Sequence, residues 1–339
     1  METGISYFGN RILTHLTTDL EDMSTHGCTF VVHSLSEEDL QLYGATMRDI
    51  VQATQAAGMQ AWVEPFGVGG VFSGEAFSLY AARFPNHQQV FSTGAKVPAI
   101  CPNWPDFRNF MRIWVDAALE TGANVLLWNV PRFATPRQFS WYHGPNNAWA
   151  CRCAACQYLY RQRFGEEIPT VYDSSVRLFR QEQMLEFLAE LTGYAASQGA
   201  TNALCLLPFE EHRGDVPWRA AASLPGIHIF GTYPAWLNTN MTPEECVGQK
   251  TARVVELCRF LGKQSLIWVQ GFGIPAGREK EIATAIEIIA ANGIDNVVVK
   301  GYDGYKHVSS MASERPDVVW DTVGRVYRQA RRGNLSKTR

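Results

Sequence analysis

The chain predicts a single (β/α)8 barrel, and three observations carry that prediction. Short β-branched or aromatic runs alternate with longer segments whose apolar residues recur at helical spacing, the signature of repeated βα units around a parallel sheet. Eight such units can be counted. A length of 339 residues with 46% hydrophobic content suits one barrel with generous loops better than two small domains, and no linker divides it. The barrel is expected over residues 1–332, with the polar, basic tail 333–339 disordered. An open doubly wound sheet shares the alternation, but no GxGxxG follows the first strand-like run. The Gly67-Val68-Gly69-Gly70 run comes after the third strand and reads as a flexible loop rather than a phosphate cradle.

In order, the strands are expected at Ile5–Gly9, Thr29–His33, Gln60–Glu64, Asn124–Trp128, Asn202–Leu207, Gly226–Gly231, Ser265–Gln270 and Asn296–Lys300. Between them, Phe107, Phe110, Met111, Trp114 and Ala118 make a helical stripe that stops at Gly122. Val254, Leu257, Cys258 and Leu261 make another, closed by Gly262, and Ile282, Ile286, Ile289 and Ala290 a third, closed by Asn292-Gly293. Met47, Ile50, Val51 and Ala57 give a weaker stripe interrupted by Thr54, and Val319, Val323 and Val326 form a closing helix after Pro316.

Composition excludes several classes. A net charge of −3, with no Lys/Arg stripe before the short tail, offers no field for a polyanion, so nucleic acid is not an expected partner. No charged n-region precedes an apolar segment at the N-terminus, and no run of eighteen apolar residues occurs, so the expectation is a cytoplasmic protein with no membrane contact.

Of the eight cysteines, Cys28, Cys205, Cys246 and Cys258 sit in apolar patterns and read as buried thiols. Cys151, Cys153 and Cys156 form a CxCxxC run at the start of a helical segment, and Cys101 lies upstream before another helix. Four thiolates at such spacing suit a closed, structural zinc site that braces loops, with an insertion at about 134–156. A redox dithiol or unrelated loop thiols are the alternatives.

Cys101-Pro102-Asn103, the CxCxxC run, Gln157 and the following Tyr158, Tyr160, Arg161, Arg163 and Phe164 resemble the zinc-binding loops of the thermostable β-galactosidases of glycosidase clan A. More broadly, the chain is similar to a group of bacterial barrel proteins labelled glycosidase-like, through Tyr7-Phe8-Gly9-Asn10-Arg11, Gly67-Val68-Gly69-Gly70, Trp268 to Glu279 and Ser313-Glu314-Arg315-Pro316. The resemblance implies a sugar or cyclic polyol as the small-molecule partner. It also implies an Asn-Glu acid/base pair at the end of the fourth strand and a nucleophilic Glu at the end of the seventh. The chain departs at both places, with Asn129-Val130 and Gln270, and has Tyr233 where the related group would carry an Asp. Two carboxyls flanking the scissile bond are what glycoside hydrolysis requires. Ordinary retaining hydrolysis is therefore not expected, and an inverting hydrolase, a lyase or an isomerase is.

The acidic groups that strand ends should bring to the mouth are Glu64, Glu210 beside Glu211, and Asp303. Glu64 lies in the apolar run Trp62-Val63-Glu64-Pro65-Phe66, where a raised pKa would suit a general acid; the competing reading makes it a structural partner of Arg11 or Arg132. Glu210 can equally be part of a solvated charged loop, and Asp303 part of a tight turn. His33 is a further candidate base. Candidate substrate contacts are Tyr7, Asn10, Arg11, Trp128, Asn129, Arg132, Tyr233, Trp236, Trp268 and Gln270, whose rings stack on sugar faces and whose polar groups hold hydroxyls. The rival functional reading is a catalytically silent barrel that binds a carbohydrate or a protein partner.

Overall fold

The computed structural model describes residues 1–208, 216–239 and 241–332. Eight parallel strands close into a barrel: β1 (Glu2–Tyr7), β2 (Phe30–Ser34), β3 (Gln60–Glu64), β6 (Val125–Asn129), β7 (Thr201–Leu206), β8 (Ile229–Thr232), β9 (Gln264–Gln270) and β10 (Asn296–Lys300). β10 pairs with β1 to complete the ring, Ser6 opposite Lys300. The remaining strands, β4 (Gln88–Val90) and β5 (Lys96–Ile100), form an antiparallel hairpin on the connection that follows β3. The closed ring excludes the open doubly wound sheet.

Helices interleave with the strands: α1 (Leu13–Thr25), α2 (Glu37–Leu42), α3 (Gly44–Ala56), α4 (Leu79–Arg83), α5 (Pro105–Glu120), α6 (Ala154–Phe164), α7 (Ser174–Ser197), α8 (Trp218–Ala222), α9 (Pro243–Leu261), α10 (Lys280–Ala291) and α11 (Pro316–Arg331). Local chemistry sets several boundaries. α9 starts at a reciprocal capping box between Thr242 and Glu245, has Pro243 in its first turn, and stops where Gly262 turns left-handed at φ 65°. None of the described helices is long and apolar enough to cross a membrane.

Two separate cores result. Phe30, Val32, Trp62, Leu127, Cys205, Leu266, Trp268 and Val298 fill the barrel interior, while the outer faces of the strands pack against the helices. With a period of two along each strand, the residue two beyond an interior one also points inward. Counting on from the interior layer places Ser6, Ser34, Glu64, Asn129, Gln270 and Lys300 at the C-terminal mouth.

The first strand runs from Glu2 to Tyr7 rather than Ile5–Gly9, because the register with β10 starts at the polar Glu2. Gly67–Gly70 is not a flexible loop. Val68 and Gly69 are buried, the Gly69 N–H donates to Glu37 Oε1 at 2.8 Å, and a Cβ on Gly69 would lie 2.4 Å from the Phe107 ring.

Candidate active site

Glu64 is the last residue of β3 and its side chain is buried in the barrel mouth. Asn129, at the end of β6, donates from Nδ2 to Glu64 Oε2 at 2.7 Å and fixes the carboxyl's orientation. Burial pushes the Glu64 pKa up from 4.5 to about 7; the Asn129 hydrogen bond and the Lys300 charge pull against this, and the Glu75 charge adds to it. Such a group is part acid and part carboxylate at neutral pH, the condition for efficient proton transfer in either direction. It holds neither Arg11 nor Arg132 as an ion-pair partner: Arg11 binds Asp39 instead, Nε to Oδ1 at 2.6 Å.

Three titratable residues absent from the sequence-based candidates, Lys300, Glu75 and Tyr305, interact electrostatically with Glu64. Lys300 ends β10 and reaches Glu75 Oε1 at 3.1 Å, with its ammonium 5.3 Å from the Phe272 ring centre. Tyr305, buried and left-handed at φ 57°, has its phenol pushed up by burial and by the charges of Glu75 and Glu64 while hydrogen-bonding Ser6. Val130, which follows Asn129, is left-handed at φ 48°, a conformation a β-branched residue adopts only when its surroundings impose it. Counting in twos from Val298 would have found Lys300; Glu75, on the excursion after β3, had no local signal.

Across the mouth, Tyr233 OH, Trp268 Nε1 and Gln270 Oε1 are buried and have no hydrogen-bond partner among the described residues. Gln270 spends its amide N–H on the Phe272 carbonyl at 3.0 Å. Buried polar groups left this way need a water or ligand to satisfy them.

Beside the mouth, a cavity of about 680 Å³ is lined by residues of the β1, β2 and β3 connections, among them Tyr7, Asn10, Arg11, His33, Ser34 and Glu75. His33 is buried and its pKa is pushed down to about 3, so it is neutral near pH 7 and too weakly basic for the general-base role. Its tautomer follows from the hydrogen-bond network. Thr54 gives its hydroxyl proton to the Ile50 carbonyl at 2.9 Å, so the 2.8 Å contact to His33 Nε2 must be donated by the imidazole. Nδ1 is left as a lone-pair acceptor. Thr54, which broke the apolar stripe of its helix, is thus the group that sets this histidine.

Other candidates lie elsewhere. Trp128 faces outward, packs at 5.7 Å from Trp114, and donates to Asn202 Oδ1. Trp236 is buried outside the barrel and donates to Glu281 Oε2 at 2.7 Å. Neither ring reaches the mouth: Trp128 has the opposite strand parity to Asn129, and Trp236 lies beyond the end of its strand. Tyr7 also has outward parity, and its phenol is committed to Asp19 at 2.6 Å. The Asp303 carboxylate pairs with Lys306 on the α11 side, so Glu75, not Asp303, is the acidic neighbour whose charge acts on Glu64. Arg132 is half-buried on the β6 connection, donating its backbone N–H to the Val71 carbonyl. Glu210 lies outside the described residues.

The four loop cysteines converge. Cys101, Cys151, Cys153 and Cys156 are buried with their sulfurs all within 4.8 Å of one another, a set that could hold a metal ion. Cys101 and Cys156 are 3.4 Å apart, well beyond disulfide bonding. Three N–H groups point at the sulfurs: Asn103 Nδ2 at Cys156 (3.3 Å), and the backbone of Val90 (3.5 Å) and Cys153 (3.4 Å) at Cys151. Such donors stabilise thiolates, the ligating form. The cluster joins the hairpin connection after β3 to the connection after β6, the two that flank Glu64 and Asn129.

No family model matches the chain, and no curated protein does. Solved structures do match. The catalytic domain of β-amylase from Paenibacillus polymyxa is 9% identical with TM-score 0.66, covering 96% of this chain and 98% of its own. The endo-1,4-β-mannanase of Rhizomucor miehei is 7% identical with TM-score 0.62, covering 97% and 95%. D-psicose 3-epimerase from Clostridium cellulolyticum H10, solved with D-tagatose, is 10% identical with TM-score 0.52, covering 98% and 99%. At these identities the likeness is one of fold alone: the chain is a (β/α)8 barrel.

Proposed function

We propose that the protein is an enzyme that acts on a sugar or sugar-like cyclic substrate by proton transfer at Glu64, as an inverting hydrolase, lyase or isomerase rather than a retaining glycosidase. The observation that carries this reading is Glu64 itself, a buried carboxyl at the C-terminal end of a barrel strand, oriented by Asn129 and brought to a pKa of about 7. Fold neighbours that include a β-amylase, a mannanase and a sugar epimerase favour a sugar as substrate. Val130 and Gln270 occupy the places of the retaining pair, which argues against that mechanism. In the proposed roles Glu64 moves the proton, Lys300 and Glu75 set the local charge, and Tyr233, Trp268 and Gln270 meet substrate hydroxyls. We also assign the four-thiol cluster to a structural zinc, whose tetrahedral demand the all-sulfur, buried donor set fits. The zinc would supply no open coordination position; the thiols would hold the two connections beside Glu64 in place.

The test is turnover over a panel of aryl glycosides, aldoses and ketoses, with Glu64→Gln as the variant. The substitution should lower kcat about 10²–10⁴-fold, the usual worth of a positioned acid/base. Turnover unchanged by it would overturn the proposal. Val130 in place of a carboxylate favours a second reading, a silent sugar-binding barrel, which the same panel supports if ligands bind without reacting.

A further inference from the structure

The 680 Å³ cavity has both polar and apolar lining. Its polar lining includes Ser34, the neutral His33 with its Nδ1 left as an acceptor, and Arg11, anchored through Nε to Asp39 and lying 4.5 Å over the Tyr43 ring. That anchoring orders the guanidinium; its Nη2 lies 3.9 Å from the Glu38 carboxylate, an ion pair beyond hydrogen-bond length that leaves N–H donors open. Fixed donors and a fixed acceptor within one cavity match hydroxyl groups, each of which both gives and takes a hydrogen bond. The apolar lining is exposed: Phe77 is 95% exposed and Leu42 63% exposed, and Leu79 and Phe8 line the same cavity, Phe8 stacked at 4.7 Å on Phe66. Single exposed apolar residues are ordinary, but four bordering one cavity mark a surface that a ligand covers.

We propose that this cavity binds an amphiphilic glycoside, with the sugar at His33, Ser34 and Arg11 and an apolar aglycone against Phe77, Phe8, Leu42 and Leu79. The volume lies in the range of sites for drug-sized ligands, enough for one sugar ring and an apolar group of similar size, not for a long oligosaccharide. The proposal rests on the reading above for the choice of a sugar as ligand, and the cavity it assigns lies beside the mouth and is not lined by Glu64. Glu75 connects the two places, since it lines the cavity and holds Lys300 in the mouth.

Calorimetric binding of p-nitrophenyl glycosides, the matching methyl glycosides, p-nitrophenol alone and linear β-1,4-linked oligosaccharides tests it. The p-nitrophenyl glycosides should bind at least about tenfold tighter than methyl glycosides of the same sugar, as burial of one aromatic ring implies. They should also bind tighter than free p-nitrophenol. The double variant Phe77→Ser/Leu42→Ser should erase the first preference, and His33→Gln should weaken the second. Equal affinity for aryl and methyl glycosides, tighter binding of the oligosaccharides, or an aryl preference that survives the double variant would overturn it. Binding is read in the native protein and in Glu64→Gln alike. Aryl-glycoside binding retained in both without turnover in either would leave this site standing and sink the catalytic reading alone.

Discussion

Replacing Glu64 by Gln should make the protein more stable above neutral pH, and the size of the effect follows from the carboxyl's environment. A pKa raised from 4.5 in the unfolded chain to about 7 in the folded one means that the folded state binds the proton more tightly, by about 3 kcal/mol. The sign is set by the raised folded value. The contribution is fully present below pH 4.5 and is lost as pH rises through 7, because the buried group must then ionise without a direct cationic partner. Gln keeps the oxygen that accepts from Asn129 and carries no titratable proton. Stability measured by urea unfolding from pH 4.5 to 8 should therefore diverge between the two proteins. The variant should be comparable at the acid end and ahead by up to about 3 kcal/mol at the alkaline end. A difference that stays flat across this range would refute the assignment of Glu64 as a desolvated, proton-holding group. A stabilised variant that has also lost turnover would show a site whose chemistry costs the fold something.

Three other outcomes follow from the structure. The purified protein should carry about one zinc per chain by elemental analysis, lost in Cys156→Ser, as a closed four-thiolate site requires; metal-free protein with four freely alkylated thiols would contradict this. Imidazole nitrogen NMR of His33 should show the Nε2-protonated neutral tautomer from pH 8 down to about 4, given its pKa of about 3; a titration near 6.5 would show that its burial is misjudged. Gly231→Ala should destabilise by roughly 1–3 kcal/mol or more in thermal unfolding, because a Cβ there would lie 2.1 Å from the Leu266 carbonyl oxygen, which is fixed in the β8–β9 ladder. Unaltered stability would mean that the ladder yields at this point.

The barrel was legible because its repeating punctuation is local. Gln60–Glu64 and Asn296–Lys300 are strands with the bounds their β-branched runs suggest, and Gly262 caps its helix where the apolar stripe runs out. α7 carried a weaker signal: its buried residues recur at helical spacing from Val176 to Ala195, but Arg180, Gln183 and Thr192 interrupt the apolar stripe. The site was legible in its chemistry but not in its directions. Strands of a parallel barrel are apolar on both faces, so alternation does not reveal which residues look inward. Tyr7 and Trp128 were consequently grouped with Asn129 and Gln270 although they face the helices. Glu64 stood out because a carboxylate in an apolar run is unusual, whereas Glu75 and Lys300 meet only through the closure of the barrel and the excursion after β3. The four cysteines were identified by spacing alone, since three of them lie within one turn of chain and helix start.

The most direct measurement of the central claim is the pH dependence of kcat/KM for whichever panel substrate is turned over, in the native protein and in Glu64→Gln. The account predicts a profile with a limb near pH 7 in the native protein, set by Glu64, and a loss of about 10²–10⁴-fold in the variant together with that limb. An unchanged rate and an unchanged limb in Glu64→Gln would contradict it.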